Sequence, residues 1–111
     1  MFTLADELVI EVYRASQGFP PEEKYGLQAQ LRRAAVSVPT NIVEGCARRS
    51  TRDYLKFMVV AAASASEARY LTDLSARLAF IPAEPAAALV GRYEKLISGL
   101  QRLIAVLNPK P

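Results

Sequence analysis

The sequence predicts an all-α fold: one antiparallel up-down-up-down four-helix bundle formed by residues 1–111 as a single domain. Three observations predict it. Apolar residues recur at spacings of three and four through four long segments, and no alternating strand pattern lies between them. Glycine and proline cluster between those segments, at residues 18–21 and 82–85. A chain of 111 residues with 51% hydrophobic content can bury a core without disulfide or metal staples. Long helices with short connections pack antiparallel. At ~1.5 Å per residue, helices of roughly 25 residues make a rod nearly ~40 Å long.

The first helix spans about residues 3–17. Thr3 is placed to cap it, with Asp6 where a capping box wants an acid. Leu4, Leu8, Val12 and Ala15 form its apolar line. "GFPPE" ends it: Gly18 suits a C-terminal cap, and Pro21 suits the first turn of the next helix. The second helix starts near Glu22 and carries Leu27, Leu31, Ala34, Ala35, Val38 and Ile42. The third follows Ser50, where "STRD" sets a hydroxyl at the cap and Asp53 three residues later, and it runs to about Leu78. The fourth lies between Pro82 or Pro85 and Asn108. Its Leu89, Tyr93, Leu96, Ile97, Leu100, Leu103, Ile104 and Leu107 make the clearest core stripe in the chain. There is no internal repeat, and the "NPKP" tail reads as poorly ordered.

The stretch "SVPTNIVEGCARRS" interrupts this pattern with polar residues and a proline. On a helical wheel, Gln30, Arg33, Ser37, Asn41, Glu44 and Arg48 share one narrow stripe. The periodicity continues through Pro39, so helix two should run on, straight or kinked, although an interior proline costs about 3 kcal/mol. Leu27, Leu31, Ala34, Val38 and Ile42 flank the stripe on the core side. Val36, Pro39 and Val43 form a second apolar patch on the other side, expected to be a subunit interface.

The third helix offers an apolar face of Phe57, Val60, Ala61, Ser64, Ala68, Leu71, Leu74 and Leu78, with Glu67 inside it. A carboxylate in such a place needs a partner. In a hairpin turning near residues 49–50, Glu67 falls beside Arg33, Ser64 beside Ser37, and Phe57 beside Glu44. Arg33, Ser37, Asn41, Glu44, Ser64 and Glu67 are therefore expected to form a polar seam between helices two and three, with Arg33 and Glu67 as a buried ion pair.

The net charge of +3 is unevenly spread. Residues 1–30 carry −3. Residues 31–56 carry +4, from Arg32, Arg33, Arg48, Arg49, Arg52 and Lys56 against Glu44 and Asp53. Arg48, Arg49, Arg52 and Lys56 gather at the turn between helices two and three, the expected site for RNA or DNA phosphates. A solvated basic surface with no partner is the plainer alternative.

Much chemistry lacks its residues. The chain has no histidine, which removes histidine triads and carboxylate–histidine di-metal sites. Its single cysteine makes neither a disulfide nor a zinc site, and Cys46 reads as a small buried core residue. Its few glycines form no phosphate loop. The expectation is a protein that is not an enzyme and carries no cofactor or metal. Asp6, Glu7 and Glu11 break any signal-peptide pattern, and "FMVVAAASA" is about half of the ~20 residues a bilayer needs. No membrane role is expected, and the cytoplasm is the expected compartment.

The chain from "FPPEEKYGLQAQLRRAAVSVPTNIVEGC" through Glu67 resembles the small bacterial four-helix-bundle family named for ribosomal RNA intervening sequences. Phe19, Pro20, Glu23, Tyr25, Gly26, Leu27, Gln30, Arg32, Arg33, Ala34, Ala35, Ser37, Asn41, Ile42, Glu44, Gly45, Arg48, Phe57, Ser64 and Glu67 fit its pattern. Val43 stands where that pattern has alanine, and Ala63 where it has glycine, a difference that bears on close helix packing. The resemblance implies a ring-like homopentamer. One branch of the family resembles the accessory variability determinant of diversity-generating retroelements, which implies nucleic acid and a reverse transcriptase as partners. The competing expectation is a structural or protein-interaction scaffold that binds no nucleic acid.

Overall fold

A computed structural model describes residues 1–108; the expectation for the tail beyond Asn108 lies outside them. Four helices form and no strand does among the described residues: α1 Phe2–Ala15, α2 Leu27–Cys46, α3 Thr51–Arg77 and α4 Ala83–Leu107. A 3₁₀ turn, Pro21–Glu23, lies between α1 and α2. The molecule measures 45 × 22 × 21 Å.

Each helix packs on two neighbours: α1 on α2 and α4, and α3 on α2 and α4. Side-chain partners show that all four pairs are antiparallel. Arg32 reaches Tyr13 while Val43 lies by Phe2. Ser37 meets Ser64 while Gly45 faces Met58. Arg69 binds Glu94 while Val59 lies by Ile104. Arg92 binds Glu7 while Met1 lies by Gly99. The core combines Ala5, Leu8 and Val12 of α1 with Leu31, Ala35 and Val38 of α2, Met58, Ala61, Ala65 and Ala68 of α3, and Leu89, Tyr93, Leu96 and Leu100 of α4.

The helix ends depart from expectation in instructive ways. Met1, not Thr3, is the N-cap of α1, and no side chain caps it. α1 ends at Ala15 with Ser16 as its C-cap, two residues before Gly18. There Arg32 Nε donates to Ser16 Oγ at 2.8 Å, Arg32 Nη2 donates to the Tyr13 carbonyl at 3.1 Å, and Gln28 Nε2 donates to the Ser16 carbonyl at 2.7 Å. Donors from α2 thus satisfy carbonyls that the helix end leaves open. α2 begins five residues later than Glu22, because Pro21–Glu23 forms its own turn and Gly26 is the N-cap. Glu23 Oε1 accepts the Leu27 amide at 2.8 Å, and a Cβ at Gly26 would come 2.8 Å from that same oxygen. At α3 the expected cap forms: the Asp53 amide donates to Ser50 Oγ at 3.1 Å.

Pro39 lies inside a continuous α2 and is buried. Its missing N–H leaves the Ala35 carbonyl without the usual bond. In the same turn Thr40 Oγ1 donates to the Val36 carbonyl at 2.7 Å, and Asn41 Nδ2 donates to the Ser37 carbonyl at 2.8 Å.

The buried face of α3 is rotated by roughly 60° from the expected one, with which it shares Ala61, Ser64, Ala68 and Leu71. Met58, Ala61, Ser64, Ala65, Ala68, Leu71, Thr72 and Ser75 are buried, whereas Val60, Glu67 and Leu78 are exposed. Alanine, serine and threonine carry much of the true face, so their weak apolar signal let Phe57, Val60 and Leu78 pull the reading aside. Small residues serve close packing. A Cβ on Gly45 would sit 2.6 Å from the Met58 methyl and 3.1 Å from Phe57 Cβ. Ala63, by contrast, is exposed and takes no part in that approach.

Candidate nucleic-acid interface

The polar seam between α2 and α3 forms at its centre and not at its ends. Ser37 Oγ and Ser64 Oγ share a hydrogen bond of 2.8 Å, and Asn41 Nδ2 donates to Ser37 Oγ at 3.0 Å. This is the register expected for the hairpin. Arg33 and Glu67 are both exposed and form no ion pair among the described residues, so no buried charge pair exists here. The reason is the rotation of α3, which carries Glu67 out of the core. Glu44 is also outside the seam: it accepts at 3.0 Å, on the surface, from Nη2 of Arg48, two residues beyond the end of α2. Such an exposed pair is worth about 0.2–1 kcal/mol.

The turn between α2 and α3 gathers the four expected cations in unequal states. Arg48 is engaged twice, by Glu44 and by the Phe57 ring, whose centroid lies 4.8 Å from its guanidinium carbon. Arg49, Arg52 and Lys56 are exposed and make no ion pair among the described residues. Arg49 follows the C-terminus of α2, where a cation complements the helix dipole. Arg52 lies in the first turn of α3, where the dipole opposes a cation. Helix stability therefore gives no reason for arginine at that position. Cys46, in the same region, is exposed and not a core residue.

Beneath Arg52 and Lys56 lies an apolar slot that no sequence pattern signalled. Leu55 and Val59 of α3 face Ile104 and Leu107 of α4 across a groove of about 730 Å³, with Thr51, Arg52 and Lys56 on its margin. The α4 heptad-like leucines signalled core, but the antiparallel pairing alone brings their last turn to this basic end.

The expected interface patch divides likewise. Pro39 is buried inside the bundle, because α2 presents that side to α1. Val36 is 39% exposed and lines a groove with Tyr13 and Tyr25, while Val43 is 56% exposed. Among the described residues no helix is long and apolar enough to cross a membrane.

Together these features define a small all-α bundle with one basic end. The sequence pattern of the 23S rRNA-intervening sequence protein family matches residues 1–102, and the chain belongs to that family. A crystal structure of a protein of unknown function from the S23 ribosomal protein family of Bacteroides thetaiotaomicron VPI-5482 has the same fold, with a TM-score of 0.85. It is 18% identical, over 93% of this chain and 96% of that one. A comparison with curated proteins finds no match.

Proposed function

We propose that this protein is a non-enzymatic, self-associating bundle that holds RNA or DNA by its phosphates at the basic end. The observation that carries this reading is Arg52. It occupies the first turn of α3 against the helix dipole, next to Arg49 and Lys56, and none of the three has an ion pair among the described residues. Cations with no acidic partner among the described residues are available to phosphates. Nothing at this end presents a base-reading motif, so the binding is insensitive to sequence. Self-association rests on Val43, with 56% exposure, and on Val59 and Val60 of α3, with 52% and 46%. The assembly proposed is the homopentamer that the family resemblance implies, and it repeats the basic end around a ring, where multivalency raises affinity.

Fluorescence anisotropy with labelled RNA and DNA tests the binding. Affinity should fall as salt rises, with a logarithmic slope of about −0.9 per phosphate contact on duplex DNA. The triple variant Arg49→Ala, Arg52→Ala, Lys56→Ala should lower both affinity and slope while keeping the helical circular dichroism of the parent. Binding unchanged in that variant would transfer the role to a protein partner, for which the slot of Leu55, Val59, Ile104 and Leu107 supplies an apolar surface. Light scattering tests assembly: a monomer mass at micromolar concentration would remove it.

A further inference from the structure

A second groove lies away from the basic end, between α1, the Pro21–Glu23 turn and the first half of α2. It measures about 690 Å³, inside the ~300–1,000 Å³ range of small-ligand sites. Tyr13, Lys24, Tyr25, Arg32 and Arg33 supply its chemistry, over an apolar strip that includes Ala29 and Val36. Three of its lining residues are cations and none is acidic. That balance is unusual on a chain whose first thirty residues are net acidic.

Its aromatic rings are held in different ways. Arg32 lies over the Tyr13 ring at 4.4 Å, and the same guanidinium is tied to Ser16 Oγ and the Tyr13 carbonyl, so this side is fixed to the end of α1. Tyr25 is 88% exposed, the most exposed large apolar side chain of the structure, and its one ring contact is Lys24 Nζ at 5.5 Å from the centroid. Arg33 makes no hydrogen bond or ion pair among the described residues, since Glu67 does not reach it. The groove thus offers an exposed aromatic ring, the unpaired Arg33 and the Lys24 ammonium beside it, and no acidic residue in its lining. Its complement is an anion that carries a flat ring.

We infer that this groove takes one nucleotide of a single-stranded RNA or DNA, its base stacked on Tyr25 and its phosphate held by Arg33 and Lys24. Base–aromatic stacking beside a cationic track is how single strands are held without sequence preference. A duplex hides its base faces in its own stack, so the groove selects single strands over double strands, whereas the basic end does not. The inference rests on the nucleic-acid reading above and adds strand selectivity to it.

The test uses the full-length protein and short oligonucleotides carrying a fluorescent adenine analogue, as a single strand and as a duplex of equal length, at one low salt concentration. The single strand should bind more tightly than the duplex, with quenching of the analogue. Tyr25→Ala should weaken single-strand binding by about tenfold, abolish the quenching and leave duplex affinity unchanged. Tyr25→Phe should retain both affinity and quenching. Tyr25 packs on nothing in the core, so these variants keep the fold. Arg33→Ala should lower the single-strand salt slope by about one contact. Equal affinity for single and double strands, or single-strand affinity and quenching that survive Tyr25→Ala, overturns the groove while leaving the basic end standing. Quenching that survives Arg49→Ala, Arg52→Ala, Lys56→Ala as duplex binding disappears supports the groove at the expense of nothing else. A parent protein that binds neither strand form overturns both readings.

Discussion

α3 and α4 are nearly equal in length, 27 and 25 residues, and they lie side by side, yet they bury different chemistry. α4 buries Leu89, Tyr93, Leu96 and Leu100, large side chains that fill the middle of the bundle. α3 buries three alanines, two serines and a threonine beside Met58 and Leu71. The small residues let α2 come close, as the Ser37–Ser64 bond of 2.8 Å and the tight surroundings of Gly45 show. Buried hydroxyls are tolerated there because they bond locally: Thr72 Oγ1 donates to the Ala68 carbonyl at 2.8 Å, and Ser75 Oγ donates to the Leu71 carbonyl at 2.6 Å. One helix stabilises the bundle by volume, and its neighbour by proximity. The two should respond to mutation in opposite senses, with truncation harming α4 and enlargement harming α3.

The largest effect should come from Leu96→Ala. Leu96 is 1% exposed, and deleting its side chain leaves a cavity at the centre. A loss of about 2–5 kcal/mol is expected, read from the urea midpoint at unchanged slope. Ala65→Leu should come next. Ala65 is 0% exposed on the small face, and overpacking there should cost about 1–3 kcal/mol in the same assay. If Ala65→Leu were neutral, the close approach of α3 would not be a packing requirement.

Tyr93→Phe should reverse the sign. The Tyr93 hydroxyl is buried with no hydrogen-bond partner among the described residues, and such an orphan costs about 1–3 kcal/mol. Removing it should stabilise the protein by about 1 kcal/mol in thermal or urea unfolding. The pH dependence sharpens this. Burial raises the Tyr93 pKa above its ordinary value of 10.0, so the unfolded chain releases that proton first. Parent stability should therefore decline as pH rises past about 10, and Tyr93→Phe should flatten the decline. The smallest effect should be that of Glu67→Ala. Glu67 is exposed and unpaired among the described residues, so unfolding should change by no more than about 0.5 kcal/mol. A loss of several kcal/mol in the isolated chain would restore the buried pair with Arg33.

The sequence by itself determined the helix count, the antiparallel order, the Ser50 cap and the α4 core. Each depends on local chemistry or on large apolar side chains at regular spacing, which leave a strong periodic signal. It also determined the register of the α2–α3 hairpin, because a short turn fixes which residues sit side by side, and Ser37 does meet Ser64. Tertiary structure alone decided which way α3 faces. Alanine and serine are nearly indifferent to burial, so the partner helix chose the face, and Glu67 turned outward with it. Tertiary structure also decided which arginines are committed. Arg32 and Arg48 are adjacent in sequence to Arg33 and Arg49, with the same charge. Arg32 is bound to the end of α1 and Arg48 to Glu44 and Phe57, while Arg33 and Arg49 are left open. Arg48 and Arg49 lie in the turn beyond Cys46, whereas Arg32 and Arg33 are consecutive on α2 and point about 100° apart, so neighbours of one charge meet different surroundings. That rotation separates a helix cap from a binding surface, and charge counting along the chain cannot see it.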